Sequence, residues 1–246
     1  MKNLIVGNWK MNPNSQKEAK EIFDAIREGV RGLKSEVVIC PPAVYLYASG
    51  FGEGIIFMGA QNVYFEDKGA FTGEISVAML KDLGIGYVII GHSERRKYFG
   101  ETDESVNKKI KSAIGAEIEQ IFCVGETAEE RVANKQEEVV ERQIKEGLSG
   151  VTDILGMVIA YEPVWAIGTG NACSPEDAKK MKEFIEKTIS DIYGKDVLSE
   201  VRIIYGGSVN SKNSASYLKE AGYNGLLPGG ASLIPEEFIK IVKSAE

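Results

Sequence analysis

Short apolar runs alternate with longer helical patterns along the whole chain. Runs rich in Val, Ile and Leu predict eight strands, near residues 3–7, 36–40, 56–60, 87–91, 120–124, 157–161, 202–206 and 225–228. These runs are apolar without clean alternation, which is typical of parallel strands that are buried on both faces. The segments between them repeat apolar residues every three or four positions, the period of an amphipathic helix.

Several predicted helices carry recognisable start signals. Ser15-Gln16-Lys17-Glu18 and Thr127-Ala128-Glu129-Glu130 have the pattern of a capping box, in which the first and last side chains accept otherwise unpaired backbone N–H groups. Pro175 and Pro235 each occupy a predicted first helical position, which proline tolerates because no hydrogen bond is lost there. The segment that follows Thr127 is predicted to be one long charged helix that ends at about Gly147.

Eight βα units in 246 residues predict a (β/α)₈ barrel, with eight parallel strands inside and the helices outside. No low-complexity linker or charge block interrupts the chain, so residues 1–246 are predicted to form a single domain. An open, doubly wound sheet is the alternative. The Gly-x-Gly-x-x-Gly turn that such a sheet uses for dinucleotides follows none of the predicted strands.

Polar and glycine-rich segments follow the predicted strands, at the end where barrels place their active sites. These segments include Gly7-Asn8-Trp9-Lys10, Gly91-His92-Ser93-Glu94-Arg95, Tyr161-Glu162, Gly206-Gly207-Ser208 and Gly229-Gly230. Glycine lets backbone N–H groups approach a ligand closely, and the turns after strands seven and eight are where barrels commonly bind phosphate. Because all these segments share one end of the barrel, we expect them to form one site.

A second pattern surrounds Glu162. An apolar run ends at this carboxylate, and Pro163 restricts it to an extended conformation. A few apolar residues follow, and then Gly168-Thr169-Gly170. The pattern predicts a carboxylate at the mouth of a strand beneath a hinged lid. Without the other strand ends, a buried strand, a surface glutamate and an ordinary turn would be the better explanation.

The composition and charge of the chain argue against several classes of partner and site. The net charge of −7 argues against partners that are nucleic acids or acidic membranes, so an anionic ligand has to be held by local groups. No segment approaches the length of a membrane span, and the first apolar run is too short for a signal peptide. Three widely spaced cysteines and one histidine do not fit a zinc cluster, and they favour a reducing, cytoplasmic location.

The motifs at residues 7–12, 69–74, 91–96, 161–170, 205–209 and 229–233, in this order, resemble those of the triosephosphate isomerase family over nearly the whole chain. The resemblance implies interconversion of dihydroxyacetone phosphate and D-glyceraldehyde 3-phosphate through an enediolate, in glycolysis and gluconeogenesis. It also implies that neither a metal nor an organic cofactor takes part.

Carried over by position, the resemblance assigns roles to individual residues. Glu162 is the expected base, His92 polarises the substrate oxygens, Lys10 offsets negative charge, and Asn8 helps to orient these groups. An imidazole at the start of a helix is expected to stay neutral because that helix end is positive. The expected phosphate ligands are Gly168, Ser208, Gly229 and Gly230. The expected lid consists of Pro163, Val164, Trp165, Ala166, Ile167, Gly168, Thr169 and Gly170.

The segment from residue 61 to residue 76 is long and polar for a βα loop, which by itself indicates a functional or interface role. In the family this loop docks into a second subunit, with Thr72 near the partner's active site. Glu74 and Arg95 are the expected ion pair of this region. The resemblance therefore implies a homodimer at least, and it leaves a higher oligomer open.

Three positions depart from the family pattern. Asn171-Ala172-Cys173 occupies the second hinge of the lid, where Lys-Thr-Ala is frequent. Pro228 replaces a usual valine, and it is expected to end the pairing of the eighth strand because proline has no N–H to donate. Asn224 stands where aspartate is common.

Two other functions are alternatives to this one. The first is that of another phosphosugar barrel enzyme, such as an epimerase or an aldose-ketose isomerase of a longer sugar. A metal-dependent epimerase would need several histidine and aspartate ligands, and the single histidine argues against it. A catalytically silent phosphate-binding protein would have no use for Lys10, His92 and Glu162 together.

Overall fold

The computed structural model describes residues 1–47, 55–168 and 172–246. Within these ranges, eight parallel strands close into a barrel in sequence order, and β8 pairs with both β7 and β1. The (β/α)₈ prediction is confirmed, and the open sheet is wrong. The strands are β1 (Leu4–Asn8), β2 (Glu36–Cys40), β3 (Ile56–Ala60), β4 (Tyr87–Ile90), β5 (Glu119–Val124), β6 (Val158–Tyr161), β7 (Arg202–Tyr205) and β8 (Gly225–Leu226).

The α-helices surround the barrel, and their starts follow the capping signals. Ser15 Oγ accepts the N–H of Glu18 at 3.2 Å, Thr127 and Glu130 form a complete capping box, and Pro175 and Pro235 occupy first turns. The described helices are α1 (Gln16–Gly29), α2 (Val77–Asp82), α3 (Ser93–Phe99), α4 (Asp103–Gly115), α5 (Ala128–Val132), α6 (Gln136–Gly147), α7 (Pro175–Tyr193), α8 (Ser214–Lys219) and α9 (Pro235–Lys243).

One helix prediction is wrong. The segment from Thr127 to Gly147 forms two helices, α5 and α6, rather than one. The chain turns at Asn134, whose φ of 56° lies in the left-handed region that asparagine tolerates better than most residues. This turn gives α6 a direction different from that of α5. One residue of α6, Gln143, bonds the chain beside the site.

The core has two layers, one inside the barrel and one between the barrel and the helices. Alternate strand residues point to the two sides, and nearly all of them are buried, as the continuous apolar runs predicted; an exception is Phe57 in β3, which is 52% exposed. The inner layer contains Leu4, Val6, Val38, Cys40, Tyr87, Ile89, Ile121, Cys123, Val158, Ala160, Ile204 and Leu227. Burial raises the pKa of the Cys40 and Cys123 thiols, as expected for core cysteines.

A charged cluster connects the amino ends of four strands. The Arg202 guanidinium donates to Glu36 Oε2 at 3.0 Å, to Glu119 Oε2 at 2.9 Å and to the Tyr87 hydroxyl at 3.1 Å. Tyr87 in turn donates to Glu36. The cluster therefore joins β2, β4, β5 and β7 at one end of the barrel, and the predicted site residues lie at the other.

No helix in the described part of the chain is long and apolar enough to cross a membrane.

Candidate active site

A cavity of about 250 Å³ lies at the carboxyl ends of the strands. It brings together every residue that was predicted to act in catalysis or to bind phosphate. These residues are Asn8, Lys10, His92, Glu162, Gly168, Ser208, Gly229 and Gly230. Segments that are far apart in sequence meet here because parallel strands present their carboxyl ends to the same side of a barrel.

Glu162 is the carboxylate at the centre of this cavity. It follows β6 directly, its N–H donates to the Val124 carbonyl at 2.7 Å, and the residue is only 2% exposed. One carboxylate oxygen, Oε1, lies 3.0 Å from His92 Nε2. The other, Oε2, accepts the Ser93 N–H at 3.0 Å. Both oxygens therefore face donors rather than water.

The surroundings of Glu162 favour its ionised form. Burial acts to raise the pKa of the carboxyl, but His92, the Ser93 N–H and the Lys10 ammonium outweigh burial and lower the pKa below its ordinary value. The side chain is consequently a carboxylate at neutral pH, and it can accept a proton.

His92 precedes α3, where the helix begins. Its Nδ1 accepts the Glu94 N–H at 3.2 Å, so the ring proton lies on Nε2, the nitrogen that faces Glu162. Burial acts to lower the pKa of His92, but the negative charge of Glu162 outweighs it and raises the pKa above 6.5. The helix start contacts the imidazole, but the neighbouring carboxylate favours its protonation, which opposes the expectation that the helix keeps the ring neutral.

Lys10 is held in an uncommon backbone conformation. Its φ of 53° lies in the left-handed region, which is rare for residues other than glycine. Asn8 Oδ1 accepts the Lys10 N–H at 3.0 Å, and Gln61 Nε2 donates to the Lys10 carbonyl at 2.8 Å. The Lys10 ammonium pairs with Glu94. Asn8 therefore supports the turn that directs Lys10 toward the cavity.

The sequence did not reveal the supporting roles of Ser93 and Glu94. Ser93 supplies a backbone donor to Glu162, and Glu94 pairs with Lys10, 84 positions away. Their only signal was their position next to His92 in a motif that was singled out for the histidine.

The glycine turns after β7 and β8 form the opposite wall of the cavity. Ser232 N and Oγ donate to the Gly229 carbonyl at 2.8 and 2.6 Å and hold the second turn. β8 ends at Leu226, before Pro228, as the proline predicted, and the Pro228 carbonyl accepts the Asn8 N–H at 3.0 Å. The turn therefore stays attached to β1 without an N–H from Pro228.

The predicted lid begins with a single turn of 3₁₀ helix at Val164–Ala166. Ile167 and Gly168 line the cavity. Trp165 Nε1 donates to Glu126 Oε1 at 2.8 Å, and the Val164 N–H donates to the Glu126 carbonyl at 3.0 Å. Glu126 was not predicted from the sequence. The lid residues Thr169 and Gly170, and the hinge residue Asn171, lie outside the described residues.

The predicted interface residues lie outside this cavity, and Thr72 and Glu74 are exposed. The ion pair expected between Glu74 and Arg95 is not formed within the described chain. Arg95 Nε instead lies 3.4 Å from Glu101 Oε2. Glu101 is a buried carboxylate that also binds Lys109, so its charge attracts the nearby guanidinium.

A buried carboxylate that faces an imidazole, beside a lysine and glycine turns, defines an enzyme of the (β/α)₈-barrel class that moves protons. Comparisons with known proteins are more specific. The family model described as Triosephosphate isomerase matches residues 3–245. The chain therefore belongs to the triosephosphate isomerase family.

Individual relatives agree with the family model. The chain is 49% identical over 243 residues to a triosephosphate isomerase of Caldanaerobacter subterraneus subsp. tengcongensis, covering 97% of this chain and 98% of the relative. A triosephosphate isomerase of Dictyoglomus thermophilum is 48% identical over 245 residues, covering 98% of each chain. The protein is an isomerase that interconverts dihydroxyacetone phosphate and D-glyceraldehyde 3-phosphate in glycolysis. The epimerase and the silent binding protein are not supported.

Proposed function

We propose that Glu162 is the base that moves a proton between adjacent carbons of the triose phosphate. The observation that carries this role is the buried Glu162 carboxylate, ionised at lowered pKa, 3.0 Å from His92 Nε2 inside the cavity. A carbon next to a carbonyl loses its proton only if a base stands on one side and donors stabilise the new oxyanion on the other. Glu162 is the cavity's carboxylate, and His92 and Lys10 are its cationic or donating groups.

His92 would donate Nε2–H to the substrate oxygens, and Lys10 would stabilise the enediolate by its charge. To reach a substrate carbon, Glu162 has to exchange its contacts with His92 and Ser93 for the substrate, which frees the Nε2–H. Once Glu162 has taken the proton it is neutral, and the charge that raised the pKa of His92 is gone. A neutral imidazole can then donate one proton and take one back.

The remaining assignments follow from the same cavity. Gly168, Ser208, Gly229 and Gly230 would bind the phosphate, since glycine leaves the backbone accessible at these turns. The lid from Pro163 to Gly170 would cover the enediolate and exclude water, which protects an intermediate that can otherwise expel its phosphate. The supporting observation is that Ile167 and Gly168 already border the cavity.

The test of the base is Glu162→Gln, which keeps the size of the side chain and removes its basicity. A coupled assay of glyceraldehyde 3-phosphate conversion should show a fall in kcat of roughly 10² to 10⁴. The enediolate mimic 2-phosphoglycolate should still bind, which separates a lost base from a lost site. Turnover close to that of the wild type would exclude Glu162 as the base.

We also propose that the enzyme is a homodimer in which the loop at residues 61–76 docks beside the partner's active site. Large apolar side chains are exposed on this side of the molecule, including Met11 at 90% and Phe99 at 69%. Both line a groove of about 380 Å³ that also reaches Lys10 and His92. Large exposed apolar side chains next to the catalytic residues favour a protein partner over open solvent.

Size-exclusion chromatography with light scattering should give twice the mass of one chain. Met11→Glu should weaken this association, because it places a charge in the proposed interface. Val132→Glu is the matched control, since Val132 is 84% exposed on α5 and does not line the groove. A stable wild-type monomer with full activity would contradict the dimer.

We place the enzyme in the cytoplasm. The supporting observation is that Cys40, Cys123 and Cys173 are all free thiols, which reducing compartments maintain. Fractionation of cells that express the chain tests this location, and recovery with secreted proteins would contradict it.

A further inference from the structure

Two backbone hydrogen bonds extend the contact between β5 and β6 beyond the ends of these strands. The Val124 carbonyl accepts the Glu162 N–H at 2.7 Å, and the Glu126 carbonyl accepts the Val164 N–H at 3.0 Å. These two bonds continue the β5–β6 ladder past the strands and into the first residues of the lid. In a parallel ladder, successive residues of one strand bond to opposite neighbours, so the peptide groups of Gly125 belong to the β4 side.

On that side there is no strand left to bond with Gly125. β4 ends at Ile90, which is paired with Phe122, three residues before Gly125. A buried N–H and a buried carbonyl without partners would be costly at this place. The structure supplies the partners from a helix.

Gln143 on α6 bonds both groups of Gly125. Its Oε1 accepts the Gly125 N–H at 2.8 Å, and its Nε2 donates to the Gly125 carbonyl at 3.2 Å. Gln143 is 5% exposed. A carboxamide has one donor side and one acceptor side, as a peptide group has, and the side chain therefore takes the place of the missing strand.

Gly125 transmits its position to Glu162 through direct backbone contact. A Cβ atom built on Gly125 would lie 1.8 Å from the Glu162 carbonyl oxygen and 2.6 Å from its carbonyl carbon. No side chain separates the two segments, so nothing absorbs a movement of Gly125 before it reaches Glu162.

We propose that Gln143 is a positioning residue for Glu162, acting through Gly125. The proposal rests on the assignment of Glu162 as the base. Gln143 does not belong to the lining of the substrate cavity in the described structure, and it borders a separate cavity of about 890 Å³ together with Gly125 and Trp165. It therefore holds the base without touching the substrate.

The test is Gln143→Met, which keeps the length and approximate volume of the side chain and removes both hydrogen bonds. We expect kcat to fall roughly 10- to 100-fold, the effect of displacing a reacting group by a fraction of an ångström to one ångström. KM should change by less than about threefold, because Gln143 does not line the cavity in which the turns after β7 and β8 are proposed to bind the phosphate.

The matched control is Ile144→Val, which shortens a fully buried side chain at the next position of α6. Both substitutions are expected to destabilise α6, and the melting temperatures of the two variants measure the loss of stability. Only Gln143→Met should lower kcat when the assays are run well below both melting temperatures. If Gln143→Met loses no more kcat than Ile144→Val, the positioning role is wrong.

A second variant keeps the test decisive if Gln143→Met does not fold. Gln143→Glu keeps an acceptor for the Gly125 N–H and removes the donor to the Gly125 carbonyl. Its loss of kcat is compared with that of Ile144→Val in the same way. Glu162→Gln is measured in parallel. An inactive Glu162→Gln with unaffected Gln143 variants would reject the positioning role alone, whereas an active Glu162→Gln would reject the base.

Discussion

At the scale of single residues, Glu162 and His92 shift each other's proton affinity in opposite directions. The imidazole and the Ser93 N–H hold the pKa of the buried carboxyl down, and the carboxylate holds the pKa of the imidazole up. Each shift opposes the effect of burial, which alone would favour the neutral form of both groups. Each group therefore favours the charged form of the other.

The coupling predicts how stability depends on pH. Because the folded pKa of Glu162 lies below 4.5, its contribution is present above pH 4.5 and is lost as the pH falls through the folded value. Because the folded pKa of His92 lies above 6.5, its contribution is present below pH 6.5 and is lost as the pH rises through the folded value. The mutual stabilisation should be largest between these two limits.

Urea unfolding of the wild type, Glu162→Gln, His92→Asn and the double variant, at pH values from well below 4.5 to well above 6.5, measures the coupling. A coupling free energy that does not change with pH would show that the two groups do not titrate together.

At the scale of elements, Glu126 attaches the first residues of the proposed lid to the end of β5. This buried carboxylate accepts hydrogen bonds from Trp165 and from the Tyr161 hydroxyl, which lies 3.1 Å from both of its oxygens. Burial raises the pKa of Glu126, and Trp165 is the largest of the groups that act against this increase. One end of the lid is therefore anchored to the same extension of β5 that contacts Glu162.

Trp165→Phe should lower the free energy of unfolding by about 1 to 3 kcal/mol, because Glu126 loses one donor to a buried charge. Urea unfolding measures the change. Val132→Ala is the control, since Val132 is 84% exposed on α5 and should alter stability by less than about 0.5 kcal/mol. A Trp165→Phe variant as stable as the wild type would mean that the bond to Glu126 does not hold the lid.

At the scale of the whole molecule, the two ends of the barrel have different tasks. The carboxyl ends of the strands carry the cavity, and the amino ends carry the Arg202 cluster. Residues at the amino end of such barrels contribute to stability rather than to catalysis. We therefore expect a substitution at the amino end to alter stability without altering catalysis at the carboxyl end.

Arg202→Met should lower the free energy of unfolding by about 2 kcal/mol and leave kcat unchanged at temperatures where the protein is folded. The loss should stay below the roughly 3 to 5 kcal/mol typical of broken buried ion pairs, because the Glu119 side chain is 43% exposed. Arg31→Met is the control, since the Arg31–Glu28 pair is exposed and contributes little. A loss of kcat without a loss of stability would contradict the separation of the two ends.

Local signals in the sequence predicted the elements. Strand positions follow from short apolar runs, and helix starts at Ser15, Thr127 and Ser174 follow from side chains that bond N–H groups three residues away. The break between α5 and α6 at Asn134 was not predicted, because the charged residues on both sides continue the helical period. That the candidate catalytic residues lie together was predictable because barrel geometry places all carboxyl strand ends on one side.

The sequence by itself therefore determined the order of strands and helices, the barrel, and the strand ends where Lys10, His92 and Glu162 lie. Tertiary structure alone decided the partners that tune these residues. Gln143 meets Gly125 across 18 positions, Lys10 meets Glu94 across 84, and Arg202 meets Glu36 across 166. Local patterns arise from backbone geometry within a few residues, whereas such pairs exist only after packing has brought remote side chains together and removed water from between them.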